Sequence, residues 1–527
     1  MNFRIGRSRG LALLCGAALW ISTAAFAADG DLDLTFNGTG IVTTNNRVTE
    51  QANDLVIQPD GKIVVAGSGG LSSFFSGIAL DFQVARYNPD GSLDATFGSG
   101  GIVTTNIGGN NSAEGVALQA DGKIVIAGAT NIMGQDELAL VRFNSDGSID
   151  TTFGAGGFVA PGINLGANPA RDLVIQPDGK IVVAGSSNDF VNGRTFTVAR
   201  FDASGGLDAT FGSGGVFATP YSAPGVGGRT AEGVALQADG RIVVAGSGPN
   251  GDFVLVRYNT DGSLDTTFGI GGLTFTDISG NGLADFAHDV VIQPDGKIVA
   301  AGYTGSLAEG GPFAVARYNV DGSLDSTFGS GGITITPLVG DTRAYGMALG
   351  TGGTIVVAGK AQAILNVVRY DSSGFLDPTF GGTGIVTTPV GSSSGAFAVA
   401  LQSDGRVVAA GVGNQTLAFP DFVSDFAVVR YEGTVSQTPA EKIASLIADI
   451  NALVAGGDLA ANKAAPLINK LEQVLAKLAG EQAAAACSQL SAFSNQVNAY
   501  VNSGTLTAAE GQALIDAVNA IRADLGC

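Results

Sequence analysis

Apolar residues in most of this chain fall in short runs instead of alternating with polar ones. Ile63-Val64-Val65-Ala66 is typical: it follows Gln58-Pro59-Asp60-Gly61-Lys62 and ends on Gly67. Strict alternation marks a strand with one wet face, whereas a short continuous run marks a strand covered on both faces. The phrase returns with small changes at Gln119, Gln176, Gln237, Gln293 and Gln402, and a degenerate copy runs from Gly350 to Gly359. A recurrence at a spacing of about fifty to sixty residues means that one unit has been copied and packed against itself.

Each unit carries three marks in order. Leu-Asp-x-Thr-Phe and glycines lead into a short apolar strand, as in Leu93-Asp94-Ala95-Thr96-Phe97-Gly98 through Ile102 to Thr105. Two apolar strands then flank a tight turn, as in Leu55 to Gln58, Pro59-Asp60-Gly61 and Lys62 to Ala66. A last strand ends in arginine and an aromatic residue, as in Phe82 to Tyr87. These are four strands, a to d. In the b–c turn, proline presets φ, aspartate tolerates the second position and glycine accepts the positive φ of a bulged hairpin. A four-stranded sheet covered on both faces by its own copies is a propeller blade. The rival, a parallel β-helix, has much shorter coils.

The start marks carry Asp33, Asp94, Asp150, Asp208, Asp265, Asp325 and Asp377, and the end marks carry Arg86, Arg142, Arg200, Arg257, Arg317, Arg369 and Arg430. Counting them predicts an all-β, seven-bladed β-propeller of four-stranded blades over residues 28–432. The array opens on a start mark and closes on an end mark. The segment around Asp33 is therefore expected to dock beside the strand ending at Arg430, which closes the ring without free edges.

The Gln-Pro-Asp-Gly-Lys-Ile-Val-Val-Ala-Gly phrase and the Arg-Tyr-Asn-Pro-Asp-Gly-Ser-Leu-Asp-x-Thr-Phe-Gly phrase together resemble the bacterial delta-60 repeat family. The resemblance covers about residues 29–432 and implies a β-propeller of a secreted or surface protein, without an assigned activity. The sixth copy lacks the Gln and Asp of the b–c turn, so its hairpin is expected to be looser.

After Tyr431 the composition turns to Ala, Leu, Asn and Lys at helical spacing. Residues 433–437 read as a linker. Thr438-Pro439-Ala440-Glu441 and Thr507-Ala508-Ala509-Glu510 read as capping boxes. Ile443, Leu446, Ile447 and Ile450 form an apolar stripe. Asn451, Leu459, Leu467 and Ile468 recur as Asn498, Leu506, Leu514 and Ile515, which predicts two duplicated helical hairpins packed as a small four-helix bundle over 438–527. This stretch resembles the FIMAH-type helical modules at the C-termini of secreted bacterial proteins. Docking, surface display or a plain cap are the roles open to it.

Composition changes the picture mainly by locating the protein. Arg4, Arg7 and Arg9, an apolar run from Leu11 to Ile21 and Ala25-Phe26-Ala27 read as an export signal over residues 1–27, cleaved near Ala27. Cys15 raises a lipoprotein alternative, against which stands the large Leu14 before it. The mature chain is expected outside the cytoplasm, secreted, on the cell surface or in the periplasm. There its two cysteines, Cys487 and Cys527, suffice for one disulfide across the helical module. No later apolar run reaches the roughly 18 residues of a membrane span. Losing three arginines takes the formal charge from -20 to about -23, which disfavours binding nucleic acid through its phosphates. Gly 80 of 527 is high, but 45% hydrophobic residues assign those glycines to turns of a folded β protein.

Most enzyme constellations fail on inventory. A single histidine, His288, excludes a histidine-rich zinc site, and no Gly-x-Ser-x-Gly elbow accompanies it. At the entrance to a b strand it reads as a capping or surface residue. The repeated Arg and Asp read as structural ion pairs: Arg86 with Asp94, Arg142 with Asp150, Arg200 with Asp208, Arg257 with Asp265, Arg317 with Asp325, Arg369 with Asp377 and Arg430 with Asp33. Asn88-Pro89-Asp90-Gly91-Ser92-Leu93-Asp94 looks like part of a calcium loop, yet its first ligand position falls on Arg86, so Asx-turn chemistry explains it better. No cofactor is expected, calcium being the one candidate.

Function is expected where the copies differ. The a–b and c–d loops share the variable face. The longest c–d loops, Ser68–Leu80 and Val412–Ser424, carry Leu71, Phe74, Phe75, Phe419 and Phe422, a candidate contact patch. The expectation is a non-catalytic scaffold that binds a protein or a matrix or envelope component. Its rival is a secreted hydrolase or lyase using loop carboxylates such as Asp277, Asp285 and Asp341.

Overall fold

The computed structural model describes residues 28–527 except 47–48, 74–76, 133–134, 163–169, 190–192, 220–229, 249–250, 281, 283, 306–309, 419–420, 434–438, 457–458, 481 and 526. The export signal expected over 1–27, most of the linker and the first residue of the first capping box lie outside the described residues.

The strands follow the copies. β1 (Ile41–Thr44) opens the array, and β2 (Thr49–Ile57), β3 (Ile63–Ser73), β4 (Gly77–Tyr87) and β5 (Ile102–Thr105) follow. Next come β6 (Asn111–Leu118), β7 (Ile124–Ile132), β8 (Gln135–Phe143) and β9 (Phe158–Val159), then β10 (Asp172–Ile175), β11 (Ile181–Asp189), β12 (Gly193–Phe201) and β13 (Val216–Ala218). The fourth group is β14 (Ala231–Leu236), β15 (Ile242–Ser247), β16 (Phe253–Tyr258) and β17 (Leu273–Thr276), and the fifth is β18 (Ala284–Ile292), β19 (Ile298–Gly305), β20 (Phe313–Tyr318) and β21 (Ile333–Thr336). β22 (Thr342–Leu349), β23 (Ile355–Ala361), β24 (Ile364–Tyr370) and β25 (Ile385–Thr388) precede β26 (Gly395–Leu401), β27 (Val407–Ala418) and β28 (Asp421–Tyr431).

The blade count expected from the sequence is corrected by the sheet topology. Five discrete four-stranded blades are present: β6–β9, β10–β13, β14–β17, β18–β21 and β22–β25. The remaining strands form one eight-stranded sheet in the order β26-β27-β28-β2-β3-β4-β5, with β1 also on β28. The molecule is thus a β-propeller of five four-stranded blades closed by one double sheet, not a ring of seven separate blades. The joint is a parallel bridge between Thr49 of β2 and Ser424 of β28, reinforced where the Glu50 amide donates to Ser424 Oγ at 3.1 Å and that hydroxyl donates to the Glu50 carbonyl at 2.8 Å. Sequence marks count copies of the unit. They do not report whether the edges of two neighbouring copies hydrogen-bond, and here β28 runs on beyond β1, which ends at Thr44 opposite Phe426, so that Ser424 meets Thr49 of β2.

The N-terminal segment closes the ring. β1 pairs antiparallel with β28, from Ile41 opposite Val429 to Thr44 opposite Phe426. The b–c turn is built as its residues require: Gly61 has φ +81°, its amide donates to the Gln58 carbonyl at 2.9 Å, and the Lys62 amide donates to Asp60 Oδ1 at 3.2 Å. In the sixth copy the corresponding Gly353 to Gly350 bond lengthens to 3.3 Å.

The core lies between sheets. Ile63 and Val65 pack with Val408, Ala410 and Val428 on one side, while Val64 and Ala66 pack with Val116, Ile124 and Ile126 on the other. Successive side chains of a strand point to opposite faces, so a fully apolar c strand is what two buried faces need.

Behind the propeller, α1 (Pro439–Gly456), α2 (Ala461–Ala479), α3 (Ala483–Asn502) and α4 (Ala508–Asp524) bury Ile443, Leu467, Leu490, Phe493 and Val518 in a core of their own. Thr507 caps α4 as a box: its amide donates to Glu510 Oε2 at 2.7 Å and the Glu510 amide donates to Thr507 Oγ1 at 3.3 Å. Cys487 in α3 is bonded to Cys527, with Cα atoms 6.0 Å apart.

Candidate functional site in the axial channel

The innermost strands share a column of alanines: Ala52, Ala113, Ala170, Ala231, Ala287, Ala344 and Ala396, each no more than 1% exposed. The next residue differs in nearly every copy: Asn53, Glu114, Arg171, Glu232, His288, Tyr345 and Phe397. The strand register shifts at this point between Ala52 and Asp54, Ala113 and Gly115, Ala231 and Gly233, Ala287 and Asp289, Ala344 and Gly346, and Ala396 and Ala398. In these six copies the varied residue is the extra residue of a β-bulge, which re-aims a side chain out of the ladder, and Arg171 stands just before β10. All seven line one cavity of about 270 Å³.

The position after the bulge explains how the channel wall closes. It reads Asp54, Gly115, Asp172, Gly233, Asp289, Gly346 and Ala398. Each aspartate accepts its own next amide through Oδ1, at 2.7 Å from Leu55, Leu173 and Val290. Through Oδ2 each reaches the following copy, at 2.7 Å from the Val116 amide, 2.8 Å from Val234 and 2.7 Å from Met347. The intervening glycines make room, since a Cβ on Gly233 would lie 2.9 Å from the Asp289 Cα, and one on Gly115 would lie 2.8 Å from Leu173 Cδ2. Burial raises all three carboxyls, Asp172 to about 6 and Asp289 to about 7, with Asp172 adding to the rise of the other two by repulsion.

Above this wall the ring is divided. Arg171 lies between two carboxylates, Nη1 3.3 Å from Glu114 Oε2 and Nε 3.3 Å from Glu232 Oε2. Burial raises the Glu114 carboxyl against the pull of Arg171. The other half is aromatic. The His288 ring stacks on Tyr303 at 5.5 Å and meets Tyr345 edge-on at 5.1 Å, and Tyr345 lies 4.9 Å from Phe397. Burial lowers the His288 pKa, so the imidazole is neutral, and its buried Nε2 has no hydrogen-bond partner. His288 is therefore a channel residue, which corrects its reading as a cap or surface residue. The missed signal was legible: stacking the copies shows one column that varies beside one that never does.

The repeated Arg and Asp meet in every copy, on the face of the b–c turns. Arg86 Nε donates to Asp94 Oδ2 at 2.8 Å, and the same bond runs from Arg142 to Asp150, Arg200 to Asp208 and Arg257 to Asp265 at 2.8 Å, Arg317 to Asp325 at 2.7 Å, Arg369 to Asp377 at 2.8 Å and Arg430 to Asp33 at 2.6 Å. Each guanidinium also lies over the phenylalanine of its start mark, Arg86 over Phe97 at 4.5 Å and Arg430 over Phe36 at 4.6 Å. Nη1 reaches on to the next copy: Arg86 donates to the Ser145 carbonyl, Arg317 to Ser372, and Arg430 to Pro89 across the closure. Asp90, part of the calcium-like phrase, accepts the Ser92 amide at 2.9 Å and its hydroxyl at 2.6 Å, an Asx turn.

Of the expected contact patch, Phe74, Phe75 and Phe419 lie outside the described residues. Leu71 falls in β3 opposite Ala79, and Phe422 in β28 opposite Leu417. Of the loop carboxylates, Asp341 is taken by Arg343 at 3.1 Å and Lys360 at 3.0 Å, whereas Asp277 and Asp285 come together with Asp252.

Residues 58–97, 119–153, 176–211, 237–268, 293–328 and 353–380 match the family described as a domain of unknown function (DUF5122) beta-propeller, and residues 443–523 match the FIMAH domain. No curated protein matches the chain. Similar solved structures include a protein of unknown function from Dyadobacter fermentans (11% identity, 75% of this chain and 99% of that one, TM-score 0.39). Others are the polysaccharide lyase Uly1 (10%, 74% and 91%, TM-score 0.40) and a mutant sialidase of Trypanosoma rangeli (11%, 83% and 61%, TM-score 0.39). The chain carries DUF5122 beta-propeller repeats followed by a C-terminal FIMAH domain.

Proposed function

We propose that this protein is a non-catalytic binding protein of the cell exterior that receives a compact cationic group of a protein or matrix partner in its axial channel. The observation that carries this reading is the single column of differing side chains, Asn53 to Phe397, set on bulges beside an invariant buried alanine. A repeat that varies at an inward position directly after an alanine that never changes places differing side chains on the axis. Two carboxylates, Glu114 and Glu232, face one arginine, and Tyr345 and Phe397 supply ring faces, a combination that favours cations.

A second reading, a hydrolase or lyase, draws on the raised Glu114 carboxyl and the neutral His288, which line the same cavity. Binding stands ahead because Asp54, Asp172 and Asp289 each already accept two amides, and Glu114 and Glu232 are tied to Arg171.

The test is calorimetric titration of the mature chain with short peptides bearing lysine or arginine, against glutamate-bearing ones. Basic peptides are expected to bind, with a loss of about tenfold in Glu232→Gln and in Tyr345→Ala, roughly the 1.4 kcal/mol of one such contact. Equal affinity for acidic and basic peptides, or for the variants, would overturn the proposal. Turnover of a polysaccharide that disappears in His288→Ala would select the second reading instead.

A further inference from the structure

Two buried side-chain atoms of the axial channel make no hydrogen bond among the described residues, Arg171 Nε and His288 Nε2. The first still has a counter-charge, because Glu232 Oε2 lies 3.3 Å away. The second has no partner of any kind. Buried polar atoms are nearly always bonded, so one left open in the wall of a cavity points to a group that arrives from outside.

Packing fixes where that atom stands. His288 is the extra residue of the bulge between Ala287 and Asp289, which takes its side chain out of the β18–β19 ladder. Tyr303 stacks on Phe286 at 4.9 Å and on the His288 ring at 5.5 Å, with 15° between the planes of the last two. Tyr345 meets the imidazole edge-on at 5.1 Å and 67°. The negative charge of Glu232 acts on the same ring, so a carboxylate stands within electrostatic reach of it. An imidazole held in this way is preorganised, and a bound group gains from it without ordering it first.

We propose that His288 Nε2 accepts an N–H from the bound cation, so that the channel selects a primary ammonium, as at the end of a lysine side chain, over a quaternary one. This rests on the axial reading given above and narrows it. Charge and ring faces alone do not separate the two cations, since Glu232, Tyr345 and Phe397 attract either. Size does not separate them: the cavity is about 270 Å³, and one of about 150 Å³ already admits benzene. Hydrogen bonding does. A lysine ammonium carries three N–H donors and a trimethylammonium carries none, so the methylated group would bury Nε2 with its lone pair still unmet.

The test is calorimetric titration of the mature chain with two probes, N-acetyl-lysine methylamide and its Nε-trimethyl counterpart. The lysine probe is expected to bind at least about tenfold more tightly, the scale of one buried acceptor left unpaired. His288→Phe keeps a ring against Tyr303 and Tyr345 and removes Nε2, and the preference should fall below about threefold. Equal or tighter binding of the trimethylated probe by the unaltered chain would overturn this inference while leaving the cation site standing, and that comparison needs no variant to fold. A preference that survives intact in His288→Phe would also overturn it, by assigning the selection to the carboxylates. Binding of neither probe would remove the axial reading itself, and this inference with it.

Discussion

At the scale of single residues, the arginine that ends each d strand does three things at once. Arg257 holds Asp265, covers Phe268 at 4.5 Å and donates to the Val320 carbonyl of the next copy. Sequence spacing pointed to the carboxylate partner, because Asp265 belongs to the mark that follows the strand. The ring and the carbonyl are contacts across tertiary space that no local pattern encodes. Removing the cation leaves a carboxylate that is 3% exposed without its main partner. Arg257→Met is expected to cost about 3 kcal/mol in denaturant unfolding, the low end for a broken buried pair, because Arg241 remains 3.2 Å from Asp265. A loss below about 0.5 kcal/mol, the scale of an exposed pair, would show the network to be a surface feature.

At the scale of elements, the b–c turn and the α4 capping box were legible because their residues act locally, through preset φ, positive φ and side chain to backbone bonds. The bulge on the innermost strands was not read. Nothing in Ala-His-Asp or Ala-Glu-Gly signals an unpaired residue until the neighbouring strand sets the register. In the helical module the cross-link from Cys487 to Cys527 closes a 40-residue separation. Cys487→Ser is expected to lower the stability of the module by about 2–4 kcal/mol, read as an earlier helical unfolding transition by circular dichroism. An unchanged transition would mean that the packing of Leu490, Phe493 and Val518 alone holds the bundle.

At the scale of the whole molecule, carboxyls from three different copies meet in one channel wall, and their response to pH is a property of the assembled ring. Asp172 and Asp289 are raised to about 6 and about 7. A carboxyl whose folded pKa lies above its unfolded value contributes stability fully below about pH 4 and loses it as pH rises through the folded value. The ion-paired aspartates run the other way. Thr96 and Thr152 help hold Asp94 and Asp150 low against burial, aided by Lys62 and Arg86 and by Arg142 and Lys123, so their contribution is present above about pH 4 and lost below it. Stability should therefore peak in mild acid and decline towards neutrality. Asp289→Asn should flatten that decline between about pH 4 and 7, measured as the thermal midpoint against pH. An unaltered slope would assign the decline to other groups. The sequence by itself determined the repeated unit, its strands and tight turns, the arginine–aspartate pairing and the change to helices after Tyr431. All of these follow from periodicity and from chemistry acting within a few residues. Only the tertiary structure decided how many sheets the copies make, because edge pairing between the first and last copies depends on where the ring brings them. It likewise decided that Asn53 to Phe397 share a channel and that Asp252, Asp277 and Asp285 share a rim, since residues so far apart in the chain become neighbours only when the circle closes.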